Sequence, residues 1–450
     1  MLGCGRVRAT VLIAAAVAAV AGCDDEFGPD IDPFPIPASR AGGPLTLGLR
    51  AGDVGPLPAL VDTLSPVTLL DPSVPGEPVP APRRLRATVE VVSAGPEPVA
   101  RARFDAVPIL EHHPCDPSAS PCAVGTEPLV AGACPVDPGS DGVRFRAILG
   151  GDLLSQTALR VDLRGAGAAV IQLFPDIAGA DAHHCRAGDA VIAAALAGGS
   201  TIEIEGGEVP LPPTRIPLRA CADFDPANAS RPSGTDLLLL LATGIGPTVV
   251  SESAYRRYAA QVDAACAAEP GLCAGPDARL DPPVPYELLP AACLRLPGVA
   301  SVARVATLRR IAIVGRTAGE ARGPCEERRA VWWMQQGGCA GGADCPCGGG
   351  DRRCRAAAAV QFEPGGGIPV AVVPDGHPLL QALRAELRPR QAEVDGLLGL
   401  DALRAVRLDI DYPGQRLVVR CAGGDAACTP FTQVFDPNDD TPAGRCPNVD

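Results

Sequence analysis

The chain contains no lysine: all 39 of its basic residues are arginine, set against 52 acidic ones. We assign that bias no function, but the net charge of −13 excludes one class of partner. Nucleic acid needs a basic surface to displace its counterions, so no nucleic-acid partner is expected. Aromatic residues make up only 3%, so a core must be built from small aliphatic side chains. Several catalytic signatures are missing as well. Gly365-Gly366-Gly367 does not open a helix after a strand in a βαβ unit, so no phosphate loop is implied. Ser155, Ser251 and Ser253 lack the Gly-x-Ser-x-Gly setting of a hydrolase elbow. Cys339, Cys345, Cys347 and Cys354 have neither CxxC spacing nor a nearby histidine, which reads as a stapled loop rather than a zinc cluster. His112-His113-Pro114-Cys115 and His183-His184-Cys185 could serve a transition metal. The plainer reading is two loops with oxidised cysteines, whose sulfur cannot ligate. No metal and no cofactor are expected.

What is present begins with an export signal. Arg6 and Arg8 precede an apolar stretch, Val11–Val20, too short to span a bilayer. Val20-Ala21-Gly22-Cys23 resembles the bacterial lipobox. The resemblance implies a signal peptide over 1–22, cleavage before Cys23 and lipid on its sulfur. Two or three acyl chains anchor stably where one would not. The expected location is a bacterial cell envelope membrane, inner or outer left open by Asp24 and Asp25. Residues 23–44, rich in Pro and Asp, read as a tether reaching a few tens of ångströms. Cysteine usage agrees with export: Cys4 leaves with the signal and Cys23 takes lipid, so 16 of the 18 remain for disulfides. Cys115/Cys122, Cys266/Cys273 and Cys421/Cys428 are close enough to close small loops, though spacing fixes no pairing.

The full chain of 450 residues can bury one large or two medium domains, and it repeats itself. Ala59–Leu70 (Ala-Leu-Val-Asp-Thr-Leu-Ser-Pro-Val-Thr-Leu-Leu) echoes the stretch around Leu237–Ser251. Asp62 falls on Ala242, Thr63 on Thr243, Leu64 on Gly244 and Thr68 on Thr248. Downstream, Ile148-Leu149-Gly150-Gly151-Asp152 matches Leu397-Leu398-Gly399-Leu400-Asp401, and Asp162 then falls on Asp411. Two motifs recurring in order mean two related lobes.

An apolar pair followed by Asp-Thr-Gly, with a later apolar-apolar-Gly strand, resembles the aspartic peptidases in their retropepsin-like and two-lobed pepsin-like forms. The resemblance implies a mostly β, two-lobed aspartic-peptidase-like β-barrel fold over roughly residues 45–425. Lobe one is expected at 45–222, a connection at 223–235, and lobe two at 236–428, followed by a polar tail at 429–450. From Asp62 to Gly150 is 88 positions and from Ala242 to Gly399 is 157. That difference suggests a Cys-rich insertion in lobe two over 256–365. Strands are expected around 57–61, 85–92, 99–110 and 237–241, with the Val89–Phe104 hairpin as the candidate flap and a short helix at Leu379–Leu387.

The family works by holding two carboxylates together so that they share one proton, the general case the aspartic peptidases exemplify. One draws a proton from water while the other donates to the scissile carbonyl. Here Asp62 is half of that dyad, opposite Ala242. Leu64 stands where the family has Gly, while Gly244, Thr63 and Thr243 follow the pattern. Asp236 lies too far along its strand to substitute, and Asp152 and Asp401 read as helix caps. Asp62 should then be an ordinary carboxylate, ionised near neutral pH. The expectation is a non-catalytic, monomeric lipoprotein that binds an extended peptide or envelope partner between its lobes. The alternatives are an endopeptidase using Asp62 with an unidentified second acid, and a structural envelope protein with a filled cleft.

Overall fold

The computed structural model describes residues 30–31, 36–38, 45–70, 83–93, 99–111, 146–164, 169–175, 189–204, 207–223, 234–274, 278, 280–296, 299–315, 323–326, 359–363, 366–387, 393–404, 406–421 and 428–431. Both histidine–cysteine pairs, the Cys115/Cys122 pair and Cys23 lie outside them.

Lobe one opens with two short strands, β1 (Asp30–Ile31) and β2 (Ile36–Ala38), followed by β3 (Thr46–Ala51) and β4 (Val54–Val61). Alternation drives β3: Leu47, Leu49 and Ala51 face the core and their neighbours are half-exposed. Then come β5 (Leu69–Leu70), β6 (Arg83–Val92), β7 (Ala100–Glu111) and β8 (Ala147–Leu149). A single turn of helix, α1 (Gly151–Leu154), leads to β9 (Ala158–Asp162) and β10 (Ala169–Phe174). The seven-stranded sheet runs β1-β7-β5-β8-β4-β3-β6, and β6 also pairs with β7, so it closes on itself.

The second half begins with β11 (Asp189–Ala193), the hairpin β12 (Ser200–Ile204) and β13 (Gly207–Leu211), then β14 (Pro217–Asp223), β15 (Gly234–Ala242) and β16 (Thr248–Ser251). Helix α2 (Glu252–Ala268) follows, capped by the Ser251 hydroxyl on the Ala254 amide, and it buries Tyr255, Tyr258 and Val262 along one face. Next are β17 (Ala291–Leu296), β18 (Val299–Leu308), β19 (Arg310–Val314), β20 (Ala359–Phe362) and β21 (Ile368–Val373). The chain ends through α3 (Pro378–Leu387), β22 (Gly396–Gly399), β23 (Val406–Asp411), β24 (Arg416–Cys421) and β25 (Cys428–Phe431).

The two halves share one wiring. β4 runs parallel to β8 and β15 parallel to β22, while β5 and β16 run antiparallel to those same partners. β5 lies parallel to β7 as β16 does to β21. β6 pairs with both β7 and β3; in lobe two β18 takes β21 and β19 takes β14. A third sheet, β11-β24-β23-β9-β10-β2, is contributed by both halves. The chain is thus mostly β and two-lobed, as the repeats imply.

Hydrogen bonding redraws several expected boundaries. β14 sits within the range expected for lobe one, yet it pairs with β15 and β19 in the sheet of lobe two. The supposed insertion at 256–365 is not one unit, because β18 and β19 are the repeat's own strands. The extra length therefore splits into α2 with the residues after it, and the stretch between β19 and β21. The tail's first residues belong to β25, which pairs with β20. The tether is also shorter than expected: β1 pairs with β7, β2 pairs with β10, and Ile36 is fully buried. Cys23 and the docked Asp30 are seven positions apart, a reach of at most about 25 Å.

Three disulfides lie among the described residues: Cys266–Cys273, Cys421–Cys428 and Cys221–Cys325. Close spacing suggested the first two. The third spans 104 positions, which no local spacing signals.

Candidate functional site at the paired threonine turns

Each turn sits where β4 or β15 ends beside the β8 or β22 strand. Val61 lies opposite Leu149, and Leu241 opposite Leu398. Behind each turn the same supports recur. Thr68 Oγ1 accepts the Gly150 amide at 3.2 Å, and Thr248 Oγ1 accepts the Gly399 amide at 3.3 Å. A Cβ on Gly150 would lie 2.0 Å from the Val67 carbonyl oxygen, and one on Gly399 2.2 Å from that of Pro247, so only glycine fits either place. The amides of Gly151 and Asp152 donate to the carbonyls of Ser65 and Pro66, as those of Leu400 and Asp401 do to Ile245 and Gly246.

The turns face one another and are clasped by four buried hydrogen bonds. The Thr63 hydroxyl donates to the Leu241 carbonyl at 2.7 Å, and the Thr243 hydroxyl to the Val61 carbonyl at 2.8 Å. In return, the Thr63 amide donates to Thr243 Oγ1 at 3.1 Å, and the Thr243 amide to Thr63 Oγ1 at 3.2 Å. Both threonines are fully buried. The structure thus brings Asp62, Thr63, Leu64, Ala242, Thr243 and Gly244 together at one centre.

Asp62 is the only one of them that can ionise. It is 3% exposed, and its Oδ1 accepts the Leu64 amide at 2.9 Å. Burial pushes its carboxyl above the ordinary value, against the pull of the Leu64 amide, the Arg215 charge and the Gly244 and Ser65 amides. This corrects the expectation of an ordinary carboxylate, which considered the missing partner acid and not the apolar surroundings. Leu64 and Ala242 lie in one apolar cluster with Ile245, Leu240 and Leu397. A lone buried carboxylate can accept a proton from water but leaves no second acid to donate to a carbonyl.

The other acids are engaged elsewhere. Asp152 takes the Thr68 hydroxyl on Oδ1 at 2.6 Å and the amide of Leu153 at 2.8 Å; burial raises its carboxyl too. The residue before α1 is Gly150 and the one before the single turn at 400–403 is Gly399, so neither Asp152 nor Asp401 is the cap residue expected. Asp236 accepts the Cys325 amide at 2.7 Å.

The turn of the β6–β7 hairpin expected to cover the site, residues 94–98, lies outside the described residues. β5, which follows the Asp62 turn, pairs with Leu110–Glu111 at the far end of β7 from that turn. The chain between β5 and β6, residues 71–82, lies outside the described residues, and its sequence holds no tyrosine either.

Two neighbours of the site were missed. Arg215 is buried and bonded through Nε and NH2 to both Glu386 oxygens, at 3.3 and 3.0 Å, close enough for its charge to favour ionised Asp62. Tyr412 is fully buried, and burial together with the Asp62 charge raises its hydroxyl far above the usual phenol value. An arginine after Pro212-Pro213-Thr214 and a tyrosine before Pro413-Gly414 carried no periodic signal. Only their long-range packing reveals them.

No protein-family model matches the chain, and no curated protein does. Among solved structures it is similar to an aspartic proteinase from Irpex lacteus, with 12% identity, 87% of this chain and 97% of that one covered, and a TM-score of 0.33. So low a score decides nothing by itself. The twinned strand wiring and the reciprocal threonine bonds are what make this a two-lobed, aspartic-peptidase-like β fold.

Proposed function

We propose that the protein is a non-catalytic, lipid-anchored envelope protein that binds an extended peptide or a protein partner between its lobes. The observation that carries the first half is the centre itself: one buried carboxylate, a methyl group opposite and a leucine beside it. Without a partner acid, the two proton transfers of peptide hydrolysis have only one group to serve both. The anchoring half rests on Val20–Cys23, and the binding half on the fit of extended chains to sheet-lined grooves. A second reading, a structural protein with a filled cleft, is favoured by the near-complete burial of Asp62 and Leu64. Among the described residues, no second carboxyl group acts on Asp62 to support the endopeptidase reading.

The test uses the full chain expressed in a bacterium and extracted in detergent. Mass spectrometry should find acylated Cys23 as the new N-terminus, and Cys23→Ser should release the protein from membranes. Incubation with an unstructured polypeptide between acid and neutral pH should leave it intact. Cleavage that a statine-type inhibitor blocks and Asp62→Ala abolishes would overturn the non-catalytic reading. Saturable binding of extended peptides separates the binding reading from the filled cleft.

A further inference from the structure

The two departures at the centre, leucine for glycine at 64 and alanine for aspartate at 242, sit at different places in their turns. The internal two-fold nevertheless brings them to one spot. In lobe two the nearest neighbour of the Gly244 α-carbon's open side is the opposing carboxyl: a Cβ there would fall 2.6 Å from Asp62 Cγ and 2.7 Å from its Oδ1. Gly244 has no positive φ, so space and not backbone strain demands glycine. The symmetric neighbour of residue 64 is then position 242. Leu64 keeps the backbone role of that position, since its amide still donates to Asp62 Oδ1 at 2.9 Å. Only the side chain is new, and it is 6% exposed within the apolar cluster that holds Ala242.

We infer that Leu64 and Ala242 are the two halves of one exchange: the Leu64 side chain occupies the volume that a second carboxylate would fill, so the centre is plugged from within. This rests on the non-catalytic reading and deepens it, because an acid restored at 242 alone would meet the leucine. Asp62 meanwhile takes the room and the amide donors of both turns.

A double-mutant cycle on the full chain tests this by thermal unfolding. Ala242→Asn adds a carboxamide of aspartate's shape without its charge, and Leu64→Gly removes the plug. The expected drop in Tm caused by Ala242→Asn is at least twofold smaller in the Leu64→Gly background than in the unsubstituted chain. Where Ala242→Asn alone does not fold but folds together with Leu64→Gly, the same coupling is seen in its extreme form. Equal drops in both backgrounds would overturn the inference, and the smaller Ala242→Ser gives a foldable second cycle with the same expectation. Acid-pH cleavage by the unsubstituted protein would end the non-catalytic reading without altering how the Tm cycle is judged.

Discussion

In the first turn a carboxylate precedes Thr63 and a leucine follows it; in the second a methyl precedes Thr243 and a glycine follows. Everything beneath those side chains is shared, down to the amide that each of Thr68 and Thr248 accepts. The comparison separates two jobs that catalytic sites of this shape combine. Holding the lobes together needs the threonines and the close-packed glycines, and both are kept in duplicate. The chemistry proposed to be lost would need a pair of acids, and the two turns hold one, Asp62. A second comparison runs through the shared sheet. β9 and β23 pair so that Arg160 lies opposite Asp409. The same two residues are equivalents under the 249-position repeat that sets Ile148 on Leu397. They sit on the internal two-fold axis with opposite charges, joined at 2.7 and 3.0 Å while Arg407 adds a third bond to Asp409 at 3.1 Å.

Breaking that axis should have the largest effect. Asp409→Ala leaves two mostly buried guanidinium groups without their carboxylate and should cost about 3–5 kcal/mol in urea unfolding. Exchanging the pair, Arg160→Asp with Asp409→Arg, should recover only part of this, because Arg407 would then face a like charge. The threonine clasp comes next. Thr63→Val and Thr243→Val each strand a buried carbonyl and a buried amide, for about 2–4 kcal/mol. If the turns are true equivalents, the two losses agree within about 0.5 kcal/mol; a clear inequality would show that one lobe carries the clasp.

The smallest effects are in pH dependence, and they have opposite signs in the two lobes. Asp62 has a folded value above its ordinary 3.8, so the folded state holds its proton more tightly and stability falls as pH rises through that range. Asp62→Asn should flatten this slope. His377 is 4% exposed with neither ring nitrogen bonded, and burial holds it below its ordinary 6.5. The unfolded chain takes up that proton first, so stability falls as pH drops through 6.5, and His377→Met should remove the loss. Melting curves across pH for the two variants check both signs.

Much of this was legible in the residues because a duplicated β unit leaves its register in the sequence. The gapless match that sets Leu69-Leu70 on Val249-Val250 is the match that sets Leu69 opposite Ile148 and Val249 opposite Leu397. Elsewhere the sequence was silent for physical reasons. β14 reads as any short strand, and only its hydrogen bonds to β15 and β19 say which lobe owns it. Ile36 is one apolar residue between prolines, so no period marked the segment as docked. α2 did leave a signal, Ser251 ahead of Tyr255, Tyr258 and Val262 at helical spacing. Cutting the chain at 256 divided it. Charge pairs such as Arg160–Asp409 and Arg215–Glu386 join residues whose sequence neighbours give no hint of one another.

The crossing of β9 and β23 also bears on how such a chain can exist at all. A first half meeting its own copy would set guanidinium against guanidinium there, and a second half would set carboxylate against carboxylate. The first pairing would bury like charges, and the second would leave each Asp409 only its own Arg407. In chemical terms, each half supplies the counter-ion of the other.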